Sequence, residues 1–428
     1  MGVKRNRIAI LTLALTLAAC SSTPVTPGDV GLAIANVPRA AASPADAAAA
    51  AAAINDFGFD LYRVAVGPDG GVVVSPASIA IALAMARAGA RGETAAQMDA
   101  VLYEVGSDAN AAWLNALEGA LTSRSGTFKD LADKDMDVLL RIANAPFAQH
   151  GMPLEAAYLE ALASRFGAGV RLVDYVTATE AARSAINAWV DDQTERRIPE
   201  LLLPGDLDAM TRLVLVNAIY LKAAWLNPFP ESLTAPGPFT RPDGSIVDVP
   251  MMSSVAGLPY AAGDGWRAVE LPYVGGSLAM TVIVPDDLGA FEASLDAEAF
   301  AALTSAMTTH SVTLALPKFG LETRTELGPA LTALGMPLAF DPANADFSGI
   351  TAAERLYISA VIHQANIDVD EKGTEAAAAT AVVMRTTSAG GGDAVSLRVD
   401  RPFLFALRDV PTGAILFLGR VTEPEVRS

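Results

Sequence analysis

The sequence predicts an α+β fold, on three observations. RLVLVNAIYLKAAW (212–225) and LAMTVIVPDD (278–287) are apolar, β-branched runs of strand length. RPFLFALRDVPTGAILFLGRV (401–421) reads as two apolar strands joined by a DVPTG turn. Helical stretches fall between such strands without the regular strand–helix alternation of a doubly wound parallel sheet.

Taken in chain order, the first segment is an export signal. Lys4, Arg5 and Arg7 precede an apolar run, Ile8 to Leu17, too short to span a bilayer as a mature helix. The run ends in LAAC, Leu17 to Cys20, which resembles a bacterial lipoprotein signal (1–19) with Cys20 as the lipidated residue. Cys20 is the single cysteine, so no intrachain disulfide is expected. The resemblance implies anchoring at the bacterial cell envelope through Cys20, and Ser21 resembles outer-membrane sorting. A secretory signal cut nearby, with release to the extracellular space, is the alternative. Residues 20–44, with four prolines among small residues, read as a flexible tether.

The globular part is expected as one domain over 45–424, without internal repeat or second linker. It opens with a helix capped by Ser43 or Asp46. SPASIAIALAMARAGARGETAAQMDAVLY (75–103) reads as a buried helix, a glycine-containing turn at 89–92 and a second helix. Strand 212–225 carries Asn217 in its middle. SVTLALPKF (311–319) alternates as a strand does, and ELGPALTALGM (326–336) is a short helix closed by Gly335.

Composition limits the function. Net charge is −18, spread along the chain, which suits a soluble, self-repelling surface. No basic stripe exists to neutralise phosphates, so nucleic acid is not an expected partner. There are three histidines, His150, His310 and His363, and no HExxH, GxSxG or phosphate-loop pattern. No metal or cofactor is expected. His363 lies inside the apolar YISAVIHQANIDV, where a hydrogen-bonded core role outweighs a catalytic base. Ser75 and Ser78, at the start of a buried helix, read as capping or core hydrogen-bonding groups.

DEKGTEAAAATAVVMRTTSAGGG (370–392) is too apolar for a solvated loop and ends too glycine-rich for a core strand. In a strand, Thr374, Ala376, Ala378, Thr380, Val382, Met384 and Thr386 share one face without a charge. Glu375, Ala377, Ala379, Ala381, Val383, Arg385 and Thr387 share the other, with both charges. A one-residue slip would bury both, so the pattern fits burial in one register. Gly373 permits a hinge.

VVVSPASIAIALAMARAGARGETAAQM, LVLVNAIYLKAAWLNPF, PKFGLETRTELGPALTALGMPLAFDPANADFSGI, LYISAVIHQANIDVDEKGTEAAAAT and RPFLFALRDVPTGAILFLGRV resemble, in order over roughly 55–424, segments of the serpins. The resemblance implies a serpin fold with three β-sheets, about nine helices and an exposed reactive-centre loop, matched here by 371–402. It implies a serine-type endopeptidase inhibitor rather than an enzyme: a metastable monomer that forms a covalent 1:1 complex with a serine protease when its cleaved loop enters the main sheet. The hinge would be Glu371, Gly373, Thr374, Glu375, Ala376, Ala377, Ala378, Ala379 and Thr380. Counting seventeen residues from Glu371 reaches Thr387, giving a reactive bond Thr387–Ser388 and elastase-like or subtilisin-like targets. Cleavage after Arg385 by a trypsin-like protease, or after Thr386, is the alternative. The glycine-rich SAGGGDAVSLRVDRPF after the bond departs from the commoner family pattern. Ser75, Ser78, Asn217 and His363 match the family's polar cluster under the opening strands. Trp225 matches the tryptophan at the top of the sheet, and Lys318 and Glu371 a nearby ion pair. A non-inhibitory member, a carrier or chaperone, is the rival reading, although such members typically carry bulky or charged hinge residues.

Overall fold

In a computed structural model, the structure describes residues 30–425 except 66, 68–69 and 376–393. The strands are β1 (Gly31–Ala33), β2 (Val72–Val74), β3 (Gly126–Lys129), β4 (Asp135–Gln149), β5 (Val170–Val173), β6 (Leu213–Ala224), β7 (Ala235–Thr240), β8 (Ile246–Gly263) and β9 (Trp266–Pro272). They continue as β10 (Leu278–Pro285), β11 (Thr308–Pro317), β12 (Phe319–Glu326), β13 (Val361–Val369), β14 (Gly373–Thr374), β15 (Ala394–Arg398), β16 (Phe403–Asp409) and β17 (Ile415–Val421). The helices that bear on the site are α1 (Pro44–Ala65), α2 (Pro76–Arg87), α3 (Gly92–Val101), α4 (Ala111–Thr122), α5 (Ala156–Phe166) and α6 (Tyr175–Gln193).

Two hydrogen-bonded networks form. The main sheet runs β1-β5-β4-β6-β14-β13-β12, with β3 on β4. The second runs β15-β11-β8-β9-β10-β16-β17-β2, with β7 on β8. The two smaller sheets expected from the sequence are continuous through the long β8. Its first part pairs with β7 and β11 and its last residues with β9.

α2 packs against β4 and β6 of the main sheet and β17 of the second. Every residue from Pro76 to Arg87 is buried, as a helix apolar on all sides requires. The Ser75 side chain accepts from the Ser78 N–H, and Pro76 sits where its missing N–H costs nothing. The other face of the main sheet is covered by α6. Ile186 and Val190 pack there with Ala143, Phe147, Val214, Val216 and Ile362. Ser43 and Asp46 cap α1 reciprocally: each backbone N–H donates to the other's side chain.

The N-terminal segment differs from expectation. Over its described part, residues 30–44, it is no free tether. Gly31–Ala33 add an antiparallel edge strand to β5. The Ala40 N–H donates to Ser164 O at 2.8 Å. Arg39 reaches Asn115 and Glu118 of α4 at 2.6 and 2.7 Å. The physical reason is that a sheet edge offers unpaired backbone groups to any nearby strand. The packed domain therefore begins near Val30 and not at 45.

Candidate functional site

The main sheet is unevenly sewn. β4 and β6 pair antiparallel over ten residues, Leu139–Ala148 with Leu213–Lys222. β6 and β13 pair parallel over only four, Leu215–Ala218 with Val361–Gln364. Parallel pairing is also the slightly weaker geometry per residue. Among the seams that join the long strands β4, β6, β13 and β12, β6–β13 is the most sparsely paired.

A polar cluster closes the middle of that seam. Register places Asn144, Asn217 and His363 side by side on three adjacent strands. Asn217 Nδ2 donates to Ser78 Oγ at 2.7 Å and to Asn144 Oδ1 at 3.2 Å. The Ser75 N–H donates to His363 Nε2 at 3.1 Å, so that nitrogen carries a lone pair. The proton of the neutral ring then sits on Nδ1, which donates to Asn217 Oδ1 at 2.7 Å. Full burial drives the His363 pKa down to about 3, so the ring stays neutral at ordinary pH. The sequence brought Ser75, Ser78, Asn217 and His363 together but missed Asn144. The signal was present: a single asparagine in the middle of the strand segment RIANAPFAQ.

The hinge sits at the top of the same seam. Gly373 and Thr374 form β14 between β6 and β13, with Thr374 opposite both Ala223 and Val369. An added Cβ at Gly373 would lie 2.1 Å from Ala223 O, so only glycine fits. The Thr374 and Tyr273 hydroxyls are 2.5 Å apart, and Tyr273 stacks on Trp225 with centroids 4.4 Å apart. Trp225 Nε1 donates to Asp370 O at 3.0 Å. Lys318 Nζ lies 2.8 Å from Glu371 Oε2, and Thr234 Oγ1 donates to Glu371 Oε1 at 2.8 Å. Burial alone would raise the Glu371 pKa, but these partners outweigh it and hold the carboxyl below its ordinary value. Tyr273 and Thr234 were not legible in the sequence, because each acts through a residue far along the chain.

The start of the loop also departs from the expectation of exposure. Glu371 and Thr374 are buried, and Glu375 has a side chain only 3 % exposed. The face expected to meet solvent is roofed here by the turn after α6, whose Arg197 reaches Glu375. Ala376, Ala377, Ala378, Ala379, Thr380, Arg385, Thr386, Thr387, Ser388 and Cys20 lie outside the described residues. Among the described residues no group of three His, Cys, Asp or Glu could hold a metal ion. None of their helices is long and apolar enough to cross a membrane.

A large sheet with a weak central seam, a neutral polar lock and a loop that begins inside the sheet define the class. The chain belongs to the serpins: the family model for serpin (serine protease inhibitor) matches residues 52–424. The chain is 38 % identical over 377 residues to an uncharacterised serpin-like protein of Thermococcus kodakarensis, covering 87 % of this chain and 85 % of that one. It is 35 % identical over 381 residues to a leukocyte elastase inhibitor of Equus caballus, covering 86 % and 97 %. Among solved structures, tengpin, a thermophilic serpin in the native state, aligns with a TM-score of 0.78 and 26 % identity over 91 % of this chain and 97 % of its own. Uncleaved ovalbumin aligns with a TM-score of 0.75 and 27 % identity, over 88 % and 100 %.

Proposed function

We propose that this protein inhibits serine proteases as a suicide substrate. The protease serine attacks the carbonyl of the scissile residue, forms an acyl-enzyme and releases the new N-terminus that follows it. The cut frees the hinge, and the residues after Thr374 run down between β6 and β13 as a new strand. The enzyme is carried along, its active site is distorted and deacylation fails. The inhibitor supplies no catalytic residue.

The observation that carries this reading is the register of β14. Thr374 lies opposite Ala223 on one side and Val369 on the other. Continued antiparallel, that register brings Thr380 opposite Asn217 and His363 together. The three would share one face, because each lies an even number of residues from its paired neighbour. The Thr380 hydroxyl would then meet the polar groups that the parting strands uncover. Ala376 and Ala378, small and uncharged, would pass on the same face.

The reactive bond is Thr387–Ser388, which suits the shallow pocket of elastase-like or subtilisin-like proteases. Relatives named leukocyte elastase inhibitor support that choice. Arg385 with a trypsin-like enzyme is the second reading. The chain acts as a monomer in a covalent 1:1 complex. It is exported, and held at the cell envelope by lipid on Cys20.

Mixing the full chain with elastase, subtilisin and trypsin separately, on denaturing gels, tests the reading. A band near the summed masses is expected with elastase or subtilisin, and the released C-terminal peptide should begin at Ser388. Clipping by every protease without a surviving complex would overturn it. A peptide beginning at Thr386 would move the bond to Arg385.

A further inference from the structure

Glu375 is a charged residue in an unusual position. It leaves β14 with φ 49, a left-handed conformation that non-glycine residues seldom adopt. Its N–H donates to Asp368 O at 3.1 Å, which holds it at the seam. The side chain is 3 % exposed. Arg197 Nε approaches Glu375 Oε2 to 3.2 Å as an ion pair, yet no hydrogen-bond donor points at that oxygen.

The titratable groups that act on it or on its neighbour Tyr220 come from three elements. The turn after α6 contributes Arg197 and Glu195, β6 contributes Tyr220 and Lys222, and β13 contributes Asp368. Arg197 is shared, because its Nη1 lies 3.6 Å from Asp368 Oδ2. The turn that carries it is itself contorted, with consecutive left-handed residues Glu195 (φ 51) and Arg196 (φ 65). Such conformations persist only where the surroundings hold them, and they gather at switch regions. Two carboxylates thus compete for one guanidinium that is 49 % exposed, and one of the two is buried. Burial and the like charge both favour the neutral acid.

We propose that this niche is a proton-sensitive seat for the hinge: with Glu375 protonated, Gly373 and Thr374 stay in the main sheet, and with Glu375 ionised they leave it. The inference concerns the uncleaved protein and stands whether or not the chain traps proteases. Desolvation, with Asp368 adding to it and Arg197 and Tyr220 opposing, pushes the seated Glu375 pKa up to about 7 from an ordinary 4.5. The released hinge returns the side chain to water and to that ordinary value. The seated form therefore binds the proton more tightly, and acid favours seating by up to about tenfold per pH unit between those two values. Below the ordinary value both forms are protonated and the preference stops growing. Above about 7 both are ionised and the seat is at its weakest. A released hinge gives the loop two more free residues at one end, so a pH change would alter its reach.

Trp225 is the natural reporter, because it stacks on the tyrosine that holds Thr374 and bonds Asp370. The test is the tryptophan emission of the uncleaved full chain between pH 8.5 and 4.5. Hydrogen exchange of the peptide spanning Gly373–Glu375, corrected for intrinsic pH dependence, is the second readout. The wild type should show a one-proton transition between about pH 5 and 7.5 and stronger protection on the acid side. Trp225→Phe should abolish the emission change. Glu375→Gln should remain seated throughout, with a flat profile. Arg197→Gln should move the midpoint up and Asp368→Asn should move it down, shifts that a merely structural role would not produce. A Glu375→Gln profile that matches the wild type, a wild type flat in both readouts, or midpoints unmoved by both neighbours would overturn the proposal.

Discussion

The middle and the top of the β6–β13 seam close the same gap by opposite means. The middle is neutral. Asn144, Asn217, His363, Ser75 and Ser78 satisfy one another with no charge among them. The top is ionisable: the Lys318–Glu371 pair and the Glu375 carboxyl beside Arg197 stand at the rim, around a Thr374–Tyr273 contact. A buried neutral network is worth most when complete and costs most when one member is lost. A rim of ionisable groups whose cationic partners reach solvent is worth less and responds to its medium. The middle is therefore suited to setting how long the closed sheet survives, and the top to setting where the loop begins. Each of the following would break or sharpen that division.

The largest effect is expected at the top, on insertion. Thr374→Arg places a guanidinium where only a hydroxyl is buried, a penalty of several kcal/mol. The yield of covalent complex should fall at least tenfold, with cleaved inhibitor in its place on gels. An undiminished yield would mean that Thr374 need not enter the sheet.

In the middle, His363→Ala strips partners from the Ser75 N–H and Asn217 Oδ1 and leaves a void, costing about 2–3 kcal/mol. Taken from the barrier, that shortens the native lifetime at raised temperature by roughly 30- to 150-fold, read as conversion to polymer or latent forms. Removing Lys318 should do much less. Equal effects would erase the distinction.

The two regions should also differ in pH response. His363 is neutral in the native state down to about pH 3, against an ordinary value of 6.5. Its contribution is complete above the ordinary value. It is lost as pH falls below that, because the unfolded chain then binds a proton the native state refuses. The slope is at most about 1.4 kcal/mol per pH unit. Thermal unfolding of wild type and His363→Gln should diverge above pH 6.5 and converge towards acid. Curves that stay parallel would mean that His363 is not held neutral.

Much of this was legible in the sequence because polar residues stood out against apolar strands. Asn217 and His363 interrupt β-branched runs, and SPAS announces a capped helix. Thr374, expected on the uncharged face, is buried in the sheet; the alternation from 376 onward lies outside the described residues. What was not legible depends on partners distant in sequence. Arg39 finds Asn115 and Glu118 seventy-six and seventy-nine residues away, so a stretch of small residues and prolines reads as linker. β1 exists only because β5 offers an open edge. Glu375 looked outward until the α6 turn roofed it.

The N-terminal segment supplies the smallest expected effect. Deleting residues 21–42 removes one short strand pairing and the Arg39 contacts, worth about 1–2 kcal/mol together. Faster thermal unfolding with an unchanged complex yield would confine its role to stability. A changed yield would tie that edge to insertion.

The most direct test of the central claim is hydrogen exchange of the loop before and after cleavage at the proposed Thr387–Ser388 bond. The account predicts that peptides covering 376–386 become strongly protected once cut. Those covering Leu215–Ala218 and Val361–Gln364 should stay protected, now by a strand between them. Loop amides that exchange as freely after cleavage as before would contradict it.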